Sequence, residues 1–371
     1  MALTTVRPQG MGFNTGRRNL IINGAMQVAQ RGTSVSGKTS SGYYTCDRFD
    51  VLLTNLGTWS FSQSTTVPSG EGFVNSFKAE CTTADASPAA ADQMAIQYHF
   101  EGQDLQQLSY GTSAAKSVTL SFWVRSSKTG TFIVNFLNKD NSRQNSQSYN
   151  ISSADTWQNV TITIDGDTSQ GFDNDNGNSL EVNFYLGAGT DKTSGTLQDS
   201  WGANTAANRA VGQVNLADTA NATWYITGVQ LEVGENASDF EHRSYGEELA
   251  ACQRYFQHWN LGGTYQGGGG FPGMLYSVDL AFASVPFMCE MRAAPTGSVS
   301  AANTWQFINT SDAPTNVNSI SVYGASKSSA TLQVDPSSSG STPVVANTSG
   351  GMLWPGNTNT NDATISMDAE L

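Results

Sequence analysis

The chain predicts an all-β protein built on an antiparallel jelly-roll β-sandwich, followed by one linking helix and a smaller β-domain. Three observations carry this expectation. Short runs of alternating apolar and polar residues recur through the first part of the chain, one amphipathic helical pattern lies between Ser244 and Trp259, and further short alternating runs follow it. Several period-two strands joined by polar loops, with no helices between them, point to an antiparallel sandwich and away from a parallel α/β sheet.

The length of 371 residues exceeds what one compact core usually serves, so two domains are expected, divided at the helix. Only 13% of residues are charged against 38% hydrophobic, with Gly, Ser, Thr and Asn crowding the loops, which suits a β-rich globular chain better than a disordered one. The net charge of −13 argues against a nucleic-acid partner, because neutralising phosphates requires a surplus of Lys and Arg on one face. Neither a signal peptide nor an apolar run long enough to span a bilayer is present, so synthesis in the cytoplasm without membrane insertion is expected. Cys46, Cys81, Cys252 and Cys289 lack paired Cys-x-x-Cys spacing, which indicates buried free thiols and neither a zinc site nor a redox motif.

Residues 1–18, with Pro8, Gly10, Gly12 and Gly16 and little periodicity, read as an N-terminal arm. Residues 19–243 form the expected sandwich. Val118, Leu120, Phe122 and Val124 alternate with polar or outward residues, and Phe132, Val134 and Phe136 repeat the pattern after a turn at Thr129-Gly130, which predicts a hairpin. Val160, Ile162 and Ile164 make another strand, Leu180, Val182, Phe184 and Leu186 the next, and Trp224 to Val233 the last.

Residues 244–260 form the expected helix, with Leu249, Cys252, Phe256 and Trp259 on one stripe and Glu247 and Glu248 in its first turn. That stripe predicts an oligomer interface in which three copies pack about a common axis. Residues 261–371 form the smaller β-domain, opening on a glycine-rich loop from Gly262 to Gly270. Strands are expected at Ser277 to Val285, Trp305 to Ile308, Ile320 to Tyr323, Thr331 to Val334 and Ala363 to Met367. The stretch from Pro336 to Thr360 reads as an exposed loop.

Five segments carry a resemblance: Arg18-Asn19-Leu20-Ile21-Ile22-Asn23-Gly24-Ala25-Met26-Gln27-Val28-Ala29-Gln30-Arg31-Gly32, Thr223 to Glu235, Ser244 to Trp259, Met291-Arg292-Ala293-Ala294-Pro295-Thr296, and Asp368-Ala369-Glu370-Leu371. Together they resemble a family of tailed-bacteriophage tail fibre or minor virion structural proteins. Within the first domain, Thr119 to Arg125, Thr156 to Thr161 and Tyr225 to Glu232 are similar to jelly-roll carbohydrate-binding modules. The resemblance implies a virion protein, on the tail more than on the capsid surface. Its implied partners are further copies of itself as a homotrimer, other virion proteins and host surface polysaccharide. Such modules often carry a structural calcium bound by an Asp in the last strand, where this chain has Thr227 or Gly228.

The chemistry-bearing residues are few. His99, His242 and His258 have no persuasive partners for catalysis, so no enzyme activity and no cofactor are expected. Asp173 and Asp175 alternate with Asn and Gly as calcium-loop ligands do, but no bidentate Glu completes the pattern. Glycans are bound by aromatic rings stacked on the C–H faces of sugars and by amides and carboxylates on the hydroxyls. Trp123, Trp157, Tyr185 and Trp224 are the candidate platforms, and Trp123 and Tyr185 fall out of phase with the core-facing set. The expected function is adhesion to host glycans by a tail fibre or receptor-binding subunit. The alternatives are a capsid decoration protein (cement or head fibre) and a polysaccharide depolymerase.

Overall fold

A computed structural model describes residues 17–262, 269–277, 279–309, 315–336, 350–356 and 362–371. Most of the expected arm, the glycine-rich loop at 263–268, and 337–349 and 357–360 of the expected C-terminal loop lie outside the described residues. The chain divides into two compact units, residues 1–244 and 245–371.

The first unit contains β1 (Ser34–Tyr43), β2 (Phe49–Ser64), β3 (Ser76–Thr83), β4 (Gln93–Glu101), β5 (Val118–Ser126), β6 (Gly130–Asn138), β7 (Arg143–Ile151), β8 (Gln158–Ile164), β9 (Asn178–Ala188), β10 (Gly202–Ala203) and β11 (Thr223–Val233). They form one antiparallel sheet in the order β10-β7-β6-β9-β4-β2-β3-β11-β5-β8, with β1 also paired to β2. The sheet folds over on itself, and β2 makes the corner. Its Phe49–Thr54 half pairs with β4 and its Thr58–Ser64 half with β3. Between them Asn55 and Gly57 adopt φ of 48° and 71°, and a Cβ on Gly57 would stand 2.6 Å from the Thr83 carbonyl oxygen. A bend of that kind is how a strand passes from one layer to the other. Phe122 of one layer then meets Tyr149 and Phe184 of the other edge-on, with ring centroids 5.3 Å apart in both pairs.

The all-β class and the antiparallel sandwich are as the sequence predicts. The expected hairpin between Val118–Arg125 and Phe132–Phe136 is not formed. β5 pairs with β11 and β8, while β6 pairs with β7 and β9. The three residues joining them are held elsewhere: the Ser127 amide donates to the Thr223 carbonyl, and Lys128 Nζ donates to the Asn215 carbonyl. The two strands therefore face one another across the core, an arrangement whose alternation is identical to that of a hairpin.

The second unit opens on a helix, Tyr245–Gln253. It continues with β12 (Phe256–Asn260), β13 (Phe271–Ser277), β14 (Leu280–Pro286), β15 (Thr296–Val299), β16 (Trp305–Asn309), β17 (Thr315–Asn316), β18 (Ser319–Ala325), β19 (Ser329–Asp335), β20 (Gly351–Pro355) and β21 (Thr364–Asp368). One sheet runs β17-β16-β20-β13-β14-β19-β18 and another β12-β21-β15. Trp259, Phe271, Trp305, Phe307, Leu332 and Ile365 share the buried core of this unit.

The helix is shorter than its sequence pattern. From Phe256 the chain is a strand, registered with β21 from Phe256 opposite Asp368 to Asn260 opposite Thr364. The run Tyr255-Phe256-Gln257-His258-Trp259 is rich in aromatic residues that favour strands, and pairing with β21 satisfies its backbone. The stripe of Leu249, Cys252, Phe256 and Trp259 is therefore not a helical face. Phe256 and Trp259 point to opposite sides of β12. Cys252, Phe256 and Trp259 are buried and Leu249 is half-buried; the helix buries Glu248 instead. The expected loop from Pro336 to Thr360 also contains a strand, because Gly351–Pro355 pairs with both β13 and β16 and buries Leu353. No helix among the described residues is long and apolar enough to cross a membrane.

Candidate functional site

Trp123, Ser121 and Arg125 share the outer face of β5, since the alternating Leu120, Phe122 and Val124 occupy the core. Trp123 stands in register with Asn159 on β8 and Thr227 on β11. Between Thr227 and Gln230 the ladder with β5 slips, and this bulge places Gly228 beside Trp123 with φ of 62°. The segment ahead of β3 lays Phe73 over Gly228, where a Cβ would stand 2.6 Å from the ring.

After β11 the chain returns along the same face. Phe73, Phe240 and His242 form a three-ring wall, with centroids 5.1 Å apart for Phe73–Phe240, 5.3 Å for Phe73–His242 and 4.9 Å for Phe240–His242. Wall and strand face enclose a hollow of about 470 Å³ lined by Trp123, Phe73, Phe240 and His242 and by Ser121, Asn159, Glu71 and Asp239. Trp123 is half-buried, so its ring is a partly open platform.

The wall is fastened from behind. Glu232 accepts from the Ser238 amide at 2.8 Å and from its hydroxyl at 2.6 Å, while Gln230 Oε1 accepts from the Glu241 amide at 2.8 Å. Glu241 in turn accepts from the amides of Arg18 and Asn19 at 3.2 and 2.8 Å and from Arg243 at 2.7 Å. Burial acts to raise the Glu241 carboxyl, but these donors outweigh it and hold it below its usual range. The polar groups facing into the hollow differ. Among the described residues no hydrogen-bond partner stands for the Ser121 hydroxyl, on a residue only 8% exposed, or for the Trp123 indole N–H.

The other sequence candidates separate. Trp157 is half-buried on the same side of the sheet as Trp123, its ring edge-on to Tyr225 at 6.1 Å. Trp224 is 0% exposed, because its register with Ser126 puts it on the core face beside Ile226, where it tilts against Phe184. Tyr185 does face away from the main core, as its phase predicts. It is nevertheless 1% exposed, covered by Ala95, Ile133 and Ala210, and burial raises its hydroxyl pKa against the lowering effect of a hydrogen bond from Arg209. Arg209 lines a second hollow of about 430 Å³ with Gln93, Gln97, Asn138, Lys139 and Glu181, none of them aromatic.

Asp173 and Asp175 are exposed in the turn before β9; Asp175 accepts from the Gly177 amide at 2.8 Å, and the Asp173 amide donates to Asp140 at 2.9 Å. No group of three or more His, Cys, Asp or Glu among the described residues is arranged to hold a metal. Thr227, one of the two residues expected where such modules often carry a calcium-binding Asp, donates its hydroxyl to the Asn75 carbonyl. His99 is buried between Asp50 and Glu181, and His258 bonds Ser366 with its pKa lowered by burial. No disulfide joins the four cysteines, of which Cys46, Cys81 and Cys252 are buried.

Sequence reading missed Phe73 and Phe240, and weighed His242 only for catalysis and Gly228 only as a calcium position. The three rings lie on loops without periodicity, far from Trp123 in the chain. The available signal was Gly228 interrupting an otherwise regular strand.

The chain matches no family model and no curated protein. Solved structures similar to it include the enzymatically active domain of bacteriophage CBA120 tailspike protein 4, at 13% identity and a TM-score of 0.29 over 58% of this chain and 21% of that one. A family 11 carbohydrate-binding module from Clostridium thermocellum, in complex with a β-1,3-1,4-mixed-linked tetrasaccharide, is 10% identical with a TM-score of 0.28 over 56% of this chain and 98% of that one. An exo-β-agarase is 12% identical with a TM-score of 0.30 over 61% of this chain and 26% of that one. The chain thus spans about a fifth of the tailspike chain, and likenesses this distant transfer none of these proteins' activities to it.

Proposed function

We propose that this protein is a structural protein of a tailed-bacteriophage virion whose first unit adheres to host surface glycan at the Trp123 hollow. The observation that carries the reading is the pairing of a half-open indole with inward polar groups, Ser121 among them, that the protein itself leaves unbonded. Sugars offer what such a surface lacks: C–H faces for the rings and hydroxyls for Ser121, Asn159 and Asp239. The virion assignment rests on the motif resemblance at Arg18–Gly32, Thr223–Glu235 and Met291–Thr296.

Adhesion without turnover is part of the proposal, as is display on the tail of several copies of the chain. A shallow hollow binds one glycan segment weakly, and copies held together convert later contacts into intramolecular ones. A homotrimer supplies that valency, and light scattering at micromolar concentration tests it, with a monomer mass as the contradicting result. Immunogold labelling of intact particles tests location. Label on the tail supports the proposal, and label over the capsid lattice favours a decoration protein. Release of reducing ends from polysaccharide would make the protein a depolymerase instead.

A further inference from the structure

Resting on the glycan reading of the Trp123 hollow, we infer that its ligand is a glycan bearing free amino groups, of the hexosamine type, and that acidic polysaccharides are excluded. The charged groups lining the hollow are Glu71 and Asp239, both exposed at its rim, with no Lys or Arg among the lining residues. Cations around the hollow are engaged elsewhere: Arg18 lies 3.9 Å from Glu232 and donates to the Asp239 main-chain carbonyl, Arg243 is bonded to Glu241, and Arg125, on the same face of β5 as Trp123, pairs with Asp155 at 3.1 Å.

The rim carries carboxylate acceptors, and the strand face below it carries the Trp123 ring. An ammonium group satisfies both, hydrogen-bonding to carboxylates and sitting over the negative face of an indole. The Ser121 hydroxyl and the Asn159 amide serve the neighbouring sugar hydroxyls. A uronate or sialate placed there would face two carboxylates at short range in a chain whose net charge is already −13.

The test is calorimetric titration of the full chain with three tetrasaccharides: β-1,4-linked glucosamine, its N-acetylated counterpart, and α-1,4-linked galacturonate. The glucosamine tetramer should bind about tenfold or more tightly than the galacturonate, with the N-acetylated form between them. The double substitution Glu71→Gln, Asp239→Asn should shrink that spread to within about threefold, and Trp123→Ala should abolish binding of all three. Trp123-dependent binding in which galacturonate equals or exceeds glucosamine overturns the charge inference and leaves the glycan site standing. So does a preference that survives the double substitution. Absence of Trp123-dependent binding for every tetrasaccharide removes both the site and the inference.

Discussion

Phe73 lies over Gly228 so closely that a Cβ on the glycine would stand 2.6 Å from the ring's Cζ, and Gly228 itself holds φ of 62°. Backbone and ring therefore both require glycine at the bulge beside Trp123. Gly228→Ala should lower stability by about 1–3 kcal/mol through the strained left-handed conformation and the displaced ring. It should also weaken glycan binding, since Phe73 anchors the wall. Thermal unfolding and titration on the same sample check this, and an unchanged midpoint would show that Phe73 yields without cost.

Trp224 provides the contrasting case on the core side of the same sheet. It is 0% exposed and packs against Phe184. Trp224→Ala should cost about 3–5 kcal/mol, as removing a large core ring does. Denaturant unfolding measures it, and a loss below about 1 kcal/mol would contradict the packing described.

Glu241 ties the Asn19 backbone and Arg243 to the hollow's wall, and its folded pKa lies below the usual carboxylate range. The sign follows from proton linkage: a depressed folded pKa gives stability that is present above the unfolded value of about 4.3 and is lost as pH falls through the folded value. Wild type should exceed Glu241→Gln in thermal midpoint at neutral pH, with the gap closing in acid. A gap of constant size across that range would remove the carboxylate from the explanation.

The sandwich core lies within residues 20–231, from Leu20 to Leu231. A chain ending at Ser244 should therefore unfold cooperatively by itself. A protease-sensitive product without a sharp transition would mean that the second unit completes that core.

Much of the sandwich is written in its alternation, because Leu120, Phe122 and Val124 can occupy only one face of a strand. The same alternation fits a hairpin and an arch equally well, so the partner of β5 was not readable from it. Phe256 and Trp259 show a second ambiguity: a short apolar run suits a helical stripe or a strand, and the backbone of β21, far along the chain, decides between them. Trp123 was legible from its phase. Tyr185 has the outward phase too, but the packing of Ile133 and Ala210 that covers it depends on tertiary structure. The wall of Phe73, Phe240 and His242 is assembled from loops and leaves no period to detect.

The central claim, that the first unit is a glycan adhesin at Trp123, is tested most directly by comparing wild type with Trp123→Ala on a panel of bacterial surface polysaccharides while recording thermal midpoints. A partly exposed ring on the outer face should cost less to remove than a core ring, so the variant is expected to keep its midpoint within a few degrees and to lose at least about tenfold in affinity for whichever glycan the wild type binds. Unchanged affinity at an unchanged midpoint would contradict the account.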